Sequence, residues 1–218
     1  MPGRLDRPAN GEPSPLVLVL GGSEAWSAEA GRPLAIAQID LPLLGARQSP
    51  KLTDRLVDGH AKLTRGQTLD ADTRALVEEF ARQSVSDIVR SLEALGAEPS
   101  LDGSRIAIVG VGLGASACAW ALPFVSNVRA CVLAGPVGHS ADAGLDPIGP
   151  IASADLGDLR CRVFATDESD TADAIRALGE ALPGRPTPEK CLTPNGEDEI
   201  AASDVASILD FVSEALAG

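Results

Sequence analysis

The residues best placed to do chemistry lie in a glycine turn. Residues 105–116 read RIAIVGVGLGAS, an apolar run that enters a glycine-rich bend and leaves it as a helix of small residues. Two chemistries use such a bend. In the first, Gly110, Gly112 and Ala115 satisfy the GxGxxG/A spacing that brings backbone amides and a helix N-terminus up to the pyrophosphate of a dinucleotide. In the second, the frame is GxSxG, the strand-to-helix elbow that lifts a nucleophilic serine above a sheet, and Gly110, Val111, Gly112, Leu113 and Gly114 fit it with glycine in the serine position. A dinucleotide site also needs a carboxylate at the end of the next strand, to hold the ribose hydroxyls. Here the next apolar run, ACVLAGP, ends in Ala134, Gly135 and Pro136, and the bend comes mid-chain instead of opening its domain. The elbow is the preferred reading, with NAD(P) binding kept as an outside alternative and no cofactor expected.

Other nucleophiles and bases are sparse. Ser116 comes one helical turn past the centre of the bend and is expected to face packing. Cys118, in an alanine-rich helix, fits an inert small hydrophobe better than a reactive thiol, and Ser23, after the first strand, fits a turn-capping hydroxyl. Of the two histidines, His139 follows a strand end and belongs on the rim where this kind of sheet keeps its site, so it is the candidate base; an exposed loop histidine is the plainer alternative. His60 lies in the long stretch 41–69, and no spacing ties it to an acid. Trp26 follows the first strand and is a candidate for lining an apolar ligand site, against the alternative of core packing. No metal is expected, because two isolated histidines and dispersed cysteines supply no ligand pair.

Charge and composition exclude several classes. With 18 Lys and Arg against 31 Asp and Glu, the net charge of -13 argues against nucleic acid, whose affinity comes from clustered cations. The four cysteines, Cys118, Cys131, Cys161 and Cys191, form no CxxC pair and sit among apolar neighbours, as reduced thiols of a cytoplasmic protein do. Residues 1–14 are rich in proline and charge and are expected to be a flexible tail, not a signal peptide. No apolar run is long enough for a membrane span.

These residues need a scaffold, and the pattern indicates which. Short apolar runs at 16–20, 34–39, 105–109, 130–133, 161–165 and 190–192 alternate with helical periods at 73–95, 114–122, 171–182 and 203–216. Runs that are apolar throughout suit parallel strands covered on both faces. The expected fold is α/β: a doubly wound, mainly parallel sheet of about six strands between helical layers, a single domain over 15–218 without a cap. The segment 41–69 has Pro and Gly, no clear period, and reads as a long loop.

From about residue 16 to its end the chain resembles the alpha/beta-hydrolase superfamily, most closely the compact, cap-less dienelactone-hydrolase and acyl-hydrolase members. LVLVLGGSEAW is similar to the strand and loop that supply the first oxyanion amide, and AIAQIDLPLLGAR to the following strand with its DLPGHG-type turn. FARQSVSDIVRSLEAL and DGSRIAIVGVGLGAS resemble the helix and strand leading into the elbow. VFATDESD resembles the acid-bearing stretch, and CLTPNGEDEI stands where the histidine-bearing turn would be. The resemblance implies the nucleophile at Gly112, the acid at Asp170 or its neighbour Asp167, and the histidine at about Glu197. It also implies an oxyanion cup from Gly21, Gly22, Ser23 and the Leu113 amide. Glycine has no nucleophilic atom and glutamate cannot act as the imidazole of a triad. The resulting expectation is a degenerate hydrolase, a pseudoenzyme binding a small ligand or protein partner at the former active-site face. The alternative is an active esterase of dienelactone-hydrolase type using Ser116, Cys118 or Ser23 with His139. Oligomeric state is left open.

Overall fold

Every second residue of the central strands faces a different core, and this sets the architecture. The computed structural model describes residues 2–8, 11–21, 26, 32–135, 144–165, 172–186, 189–190 and 202–217. Strand β2 (Ser14–Leu20) sends Leu16, Leu18 and Leu20 to one side and Val17 and Val19 to the other, all fully buried. Strand β4 (Leu101–Val111) divides Ile106 and Ile108 from Ala107 and Val109 in the same way, and β5 (Val128–Ala134) divides Cys131 and Leu133 from Ala130 and Val132. Strands β3 (Ala35–Ile39), β6 (Arg160–Ala165) and β7 (Glu189–Lys190) extend the sheet.

The strand order is β1-β3-β2-β4-β5-β6-β7, parallel throughout except for β1 (Gly3–Asp6), which runs antiparallel to β3. The sheet has seven strands, where about six are expected. The difference is β1, lying where a flexible tail is expected: main-chain pairing with β3 holds a segment whose side chains, Arg4 and Asp6 among them, give no apolar pattern. The other strands match their sequence expectations to within a few residues, although the last, 190–192, is described only as far as Lys190.

One face carries α1 (Pro50–Thr64), α2 (Ala71–Gly96), α3 (Leu113–Ala121), α4 (Ile148–Ser153) and α5 (Ala172–Ala181); α6 (Ala202–Leu216) packs on the other. Helix α2 starts where Asp70 accepts hydrogen bonds from the Thr73 hydroxyl at 2.6 Å and amide at 3.0 Å. Those bonds, with Arg55 assisting, hold the Asp70 carboxyl well below the usual carboxylate range. Helix α1 corrects the expectation of a loop over 41–69. Its inward positions are Leu56, Gly59 and Leu63. Gly59 packs so close to α2 that a Cβ there would come within 2.7 Å of the Thr73 methyl, and Leu52 and Val57 point outward, so the apolar period is blurred. Among the described residues no helix is long and apolar enough to cross a membrane.

Candidate functional site

Three adjacent parallel strands end on glycines in the left-handed half of conformational space. β2 is followed by Gly21 (φ 76°), β4 by Gly112 (φ 54°) and β5 by Gly135 (φ 68°), with Leu20 paired to Gly110 and Val111 to Ala134. The C-terminal edge of a parallel sheet is where open α/β folds bind ligands. At its middle Gly112 takes φ 54° and ψ -120°, a conformation that strains any residue with a Cβ. Its amide donates to Ala134 O at 2.8 Å, and its carbonyl accepts from the amides of Ala115 and Ser116 at 3.0 and 3.2 Å. The bend is therefore fastened to β5 on one side and to the first turn of α3 on the other.

The surrounding glycines let backbone touch backbone. A Cβ on Gly110 would lie 2.6 Å from the Cα of Ala115, and one on Gly21 would lie 2.8 Å from Val111 O. A Cβ on Gly114 would overlap the carbonyl of Leu20. The end of β2, the end of β4 and the start of α3 thus form one tight junction, with Leu113 as the first helical residue. The amides of a helix's first turn have no partner within the helix, so those of Leu113 and Gly114 suit an oxyanion.

Of the residues expected at the site, the junction brings together Gly21, Gly112 and Leu113. Gly22, Ser23, His139, Asp167, Asp170, Cys191 and Glu197 lie outside the described residues. Trp26 is fully buried in the α6-side core with Val17, Val19, Leu34 and Ile36, so it packs instead of lining a ligand site. The large apolar area of an indole makes that the more stabilising placement.

The structure adds a residue that sequence reasoning missed. His60, half-buried on α1, has its Nε2 2.9 Å from Oγ of Ser116, which is fully buried on α3. Burial lowers the His60 pKa to about 4, so the ring is neutral at physiological pH. Ser116 Oγ in turn lies 3.5 Å from Gly112 O, a long hydrogen bond back to the bend. With its proton on Nε2 the imidazole donates to Ser116, whose own hydroxyl hydrogen then points to Gly112 O; the other tautomer would direct that hydrogen at the ring. A serine buried in a run of small apolar residues needs a polar partner, and that was the only signal available.

A serine with a histidine at this distance has the first two members of a nucleophilic triad. Two observations oppose that use. Ser116 has no surface that a substrate could touch, and among the described residues no carboxylate is hydrogen-bonded to His60. Cys118 is likewise fully buried, and burial pushes its thiol far above the usual range, away from the reactive thiolate. Among the described residues no cluster of His, Cys, Asp or Glu could hold a metal ion.

Comparison with solved structures decides the scaffold. The chain superimposes over 98% of its length on 93% of a protein assigned as a dienelactone hydrolase in Klebsiella pneumoniae subsp. pneumoniae MGH 78578, with a TM-score of 0.62 at 17% identity. It matches TT1662 from Thermus thermophilus over the whole of both chains, with a TM-score of 0.66 at 16% identity. The chain has the alpha/beta-hydrolase fold. A cold-adapted esterase from an Arctic intertidal metagenomic library also matches, covering 98% of this chain and 88% of its own, with a TM-score of 0.66 at 17% identity. No protein-family model and no curated protein matches the sequence. On this alpha/beta-hydrolase scaffold, Gly112 occupies the strand-to-helix bend after β4.

Proposed function

We propose that this protein is a catalytically degenerate hydrolase that binds a small ligand or a protein partner at the elbow face. One observation carries the reading: Gly112 stands at the apex of the elbow at φ 54° and ψ -120°, a conformation that would strain a residue with a Cβ, and offers no side chain there. Gly21, Gly110 and Gly114 pack closely around that apex and leave the first amides of α3 beside it for a ligand oxygen. By resemblance the acid falls on Asp170 and the base position on Glu197, so two of three triad roles have no competent group. Loss of nucleophile or base costs on the order of 10⁶ in rate, while an oxyanion cup alone retains about 10³ to 10⁴ over water. Such a cup still binds a carbonyl or carboxylate oxygen. The buried, protonated thiols of Cys118 and Cys131 fit a cytoplasmic protein.

The test is a panel of short acyl esters together with a fluorophosphonate probe. The expected outcome is turnover no more than about 10³ to 10⁴ above buffer and no labelling. A kcat/KM of about 10⁴ M⁻¹s⁻¹ or above with stoichiometric labelling overturns the proposal.

The 2.9 Å contact of His60 with Ser116 favours a second reading, an esterase with a displaced nucleophile. It requires Ser116 to become accessible. In that case the fluorophosphonate would be recovered on the peptide containing Ser116, and His60→Ala would abolish the reaction.

A further inference from the structure

We infer that the free edge of β1 pairs with β1 of a second copy of this chain, antiparallel and centred on Leu5. The backbone sets the direction. Asp40 donates its amide to Pro2 O at 3.1 Å, and the register pairs Gly3 with Ile39, Arg4 with Gln38, Leu5 with Ala37 and Asp6 with Ile36. Hydrogen-bonded and non-hydrogen-bonded pairs alternate along an antiparallel ladder. Since the Pro2–Asp40 pair is bonded, the bonded pairs are those of Pro2, Arg4 and Asp6. The amides and carbonyls of Gly3 and Leu5 therefore point away from β3. Among the described residues β1 is the last strand on its side of the sheet, so these groups face no further strand.

The side chains choose the partner. With a two-fold axis through Leu5, Leu5 meets the partner's Leu5 and exchanges two main-chain hydrogen bonds with it, and Gly3 meets the partner's Arg7. Arg4 then stands opposite the partner's Asp6, and Asp6 opposite the partner's Arg4, in the closer, non-bonded pairs. Within one chain Arg4 and Asp6 already lie 2.9 Å apart, with Arg4 exposed, so the same charges serve both subunits. A chain of net charge -13 repels its copies in most orientations, yet this segment is electrostatically self-complementary in one antiparallel register. Leu5 faces α2 together with Ala37 and Ile39, and a trough of about 330 Å³ lined also by Ala94 and Leu95 continues from there. The partner's Leu5 would extend that apolar contact.

Charge exchange in the full-length protein tests the pairing. Light scattering coupled to gel filtration at about 100 µM protein should give twice the chain mass for the wild type. Arg4→Asp and Asp6→Arg should each give a monomer, and the double exchange should restore the dimer because the pairs re-form with reversed sign. Leu5→Pro, which removes an outward amide and leaves the bonds to β3 in place, should also give a monomer, with circular dichroism showing that the sheet is retained. A monomeric wild type, a dimer untouched by both single changes, or a double exchange that stays monomeric overturns the inference.

Discussion

His60 Nε2 stands 2.9 Å from Ser116 Oγ and so joins α1 to the helix that leaves the elbow. The ring is neutral because burial holds its pKa near 4, against an ordinary value of 6.5. In the unfolded chain the same ring takes a proton once the pH falls below about 6.5. Between pH 6.5 and 4 the unfolded state therefore binds more protons than the folded one, and stability falls as the pH falls. The contribution is complete above pH 6.5 and is lost on descending towards 4. His60→Gln should remove about 1–3 kcal/mol of that pH dependence. Urea unfolding of both proteins at pH 7.5 and 4.5 checks it, since the general effect of neutralising carboxylates is common to the two. Equal pH slopes would show that His60 is not buried in its neutral form.

Removing the hydroxyl that faces His60 should cost more than a surface change. Ser116→Ala leaves a half-buried imidazole without its partner and removes the donor near Gly112 O, an expected loss of about 1–3 kcal/mol at pH 7.5. Ser116→Thr keeps the hydroxyl but adds a methyl to a fully buried site, so it too should destabilise, through overpacking. Denaturation midpoints of the three proteins decide the matter. An alanine variant as stable as the wild type would make the contact incidental.

Gly112 offers a direct test of the proposal that the elbow is degenerate. Gly112→Ser places a side chain at φ 54° and ψ -120°, at an expected cost of about 1–3 kcal/mol. On the proposed reading it should also leave nitrophenyl acetate turnover at the wild-type level, because no base is in place to take the serine proton. A rise of about 10²-fold or more would mean that a competent base already faces the bend.

Most of this architecture is legible in the sequence because the central strands are apolar along their whole length, as burial on both faces demands. The glycine turn is legible for a related reason: Gly110, Gly112 and Gly114 each answer a backbone requirement that only glycine meets. Helix α1 is obscured by Gly59, whose value lies in a close approach to Thr73 that spacing does not reveal, and by the outward Leu52 and Val57. Strand β1 is obscured because main-chain pairing holds it while two of its four residues are charged. The His60–Ser116 contact depends on how α1 lies against the elbow, so its two residues, 56 apart in the chain, carry no mutual signal.

The junction glycines separate packing from helix propensity. Gly114→Ala forces a Cβ into the carbonyl of Leu20, where backbone meets backbone and neither can rotate away. The expected loss is about 1–3 kcal/mol or more, as for overpacking elsewhere. Gly149, exposed on helix α4, has nothing within 4 Å of where its Cβ would stand. Gly149→Ala should therefore stabilise by about 0.4–1 kcal/mol, through the smaller freedom of the unfolded chain. Opposite signs for the same chemical change, read from thermal or urea midpoints, are the expected outcome. Two variants of the same sign would mean that the elbow tolerates the expansion that its geometry forbids.

Thiol reactivity tests whether any cysteine near the elbow helix can serve as a nucleophile. Cys118 and Cys131 are fully buried with thiols held protonated by burial, while Cys161 is half-buried with its pKa pushed up to about 12. Nucleophilic attack needs the thiolate and needs access. Iodoacetamide at pH 8, followed by peptide mapping, should leave Cys118 and Cys131 unmodified in the native protein and label Cys161 slowly. All three should label promptly in urea. Native labelling of Cys118 at the rate of a free thiol would show that the helix opens towards solvent, and would return a thiol esterase to consideration at the face where Gly112 now stands.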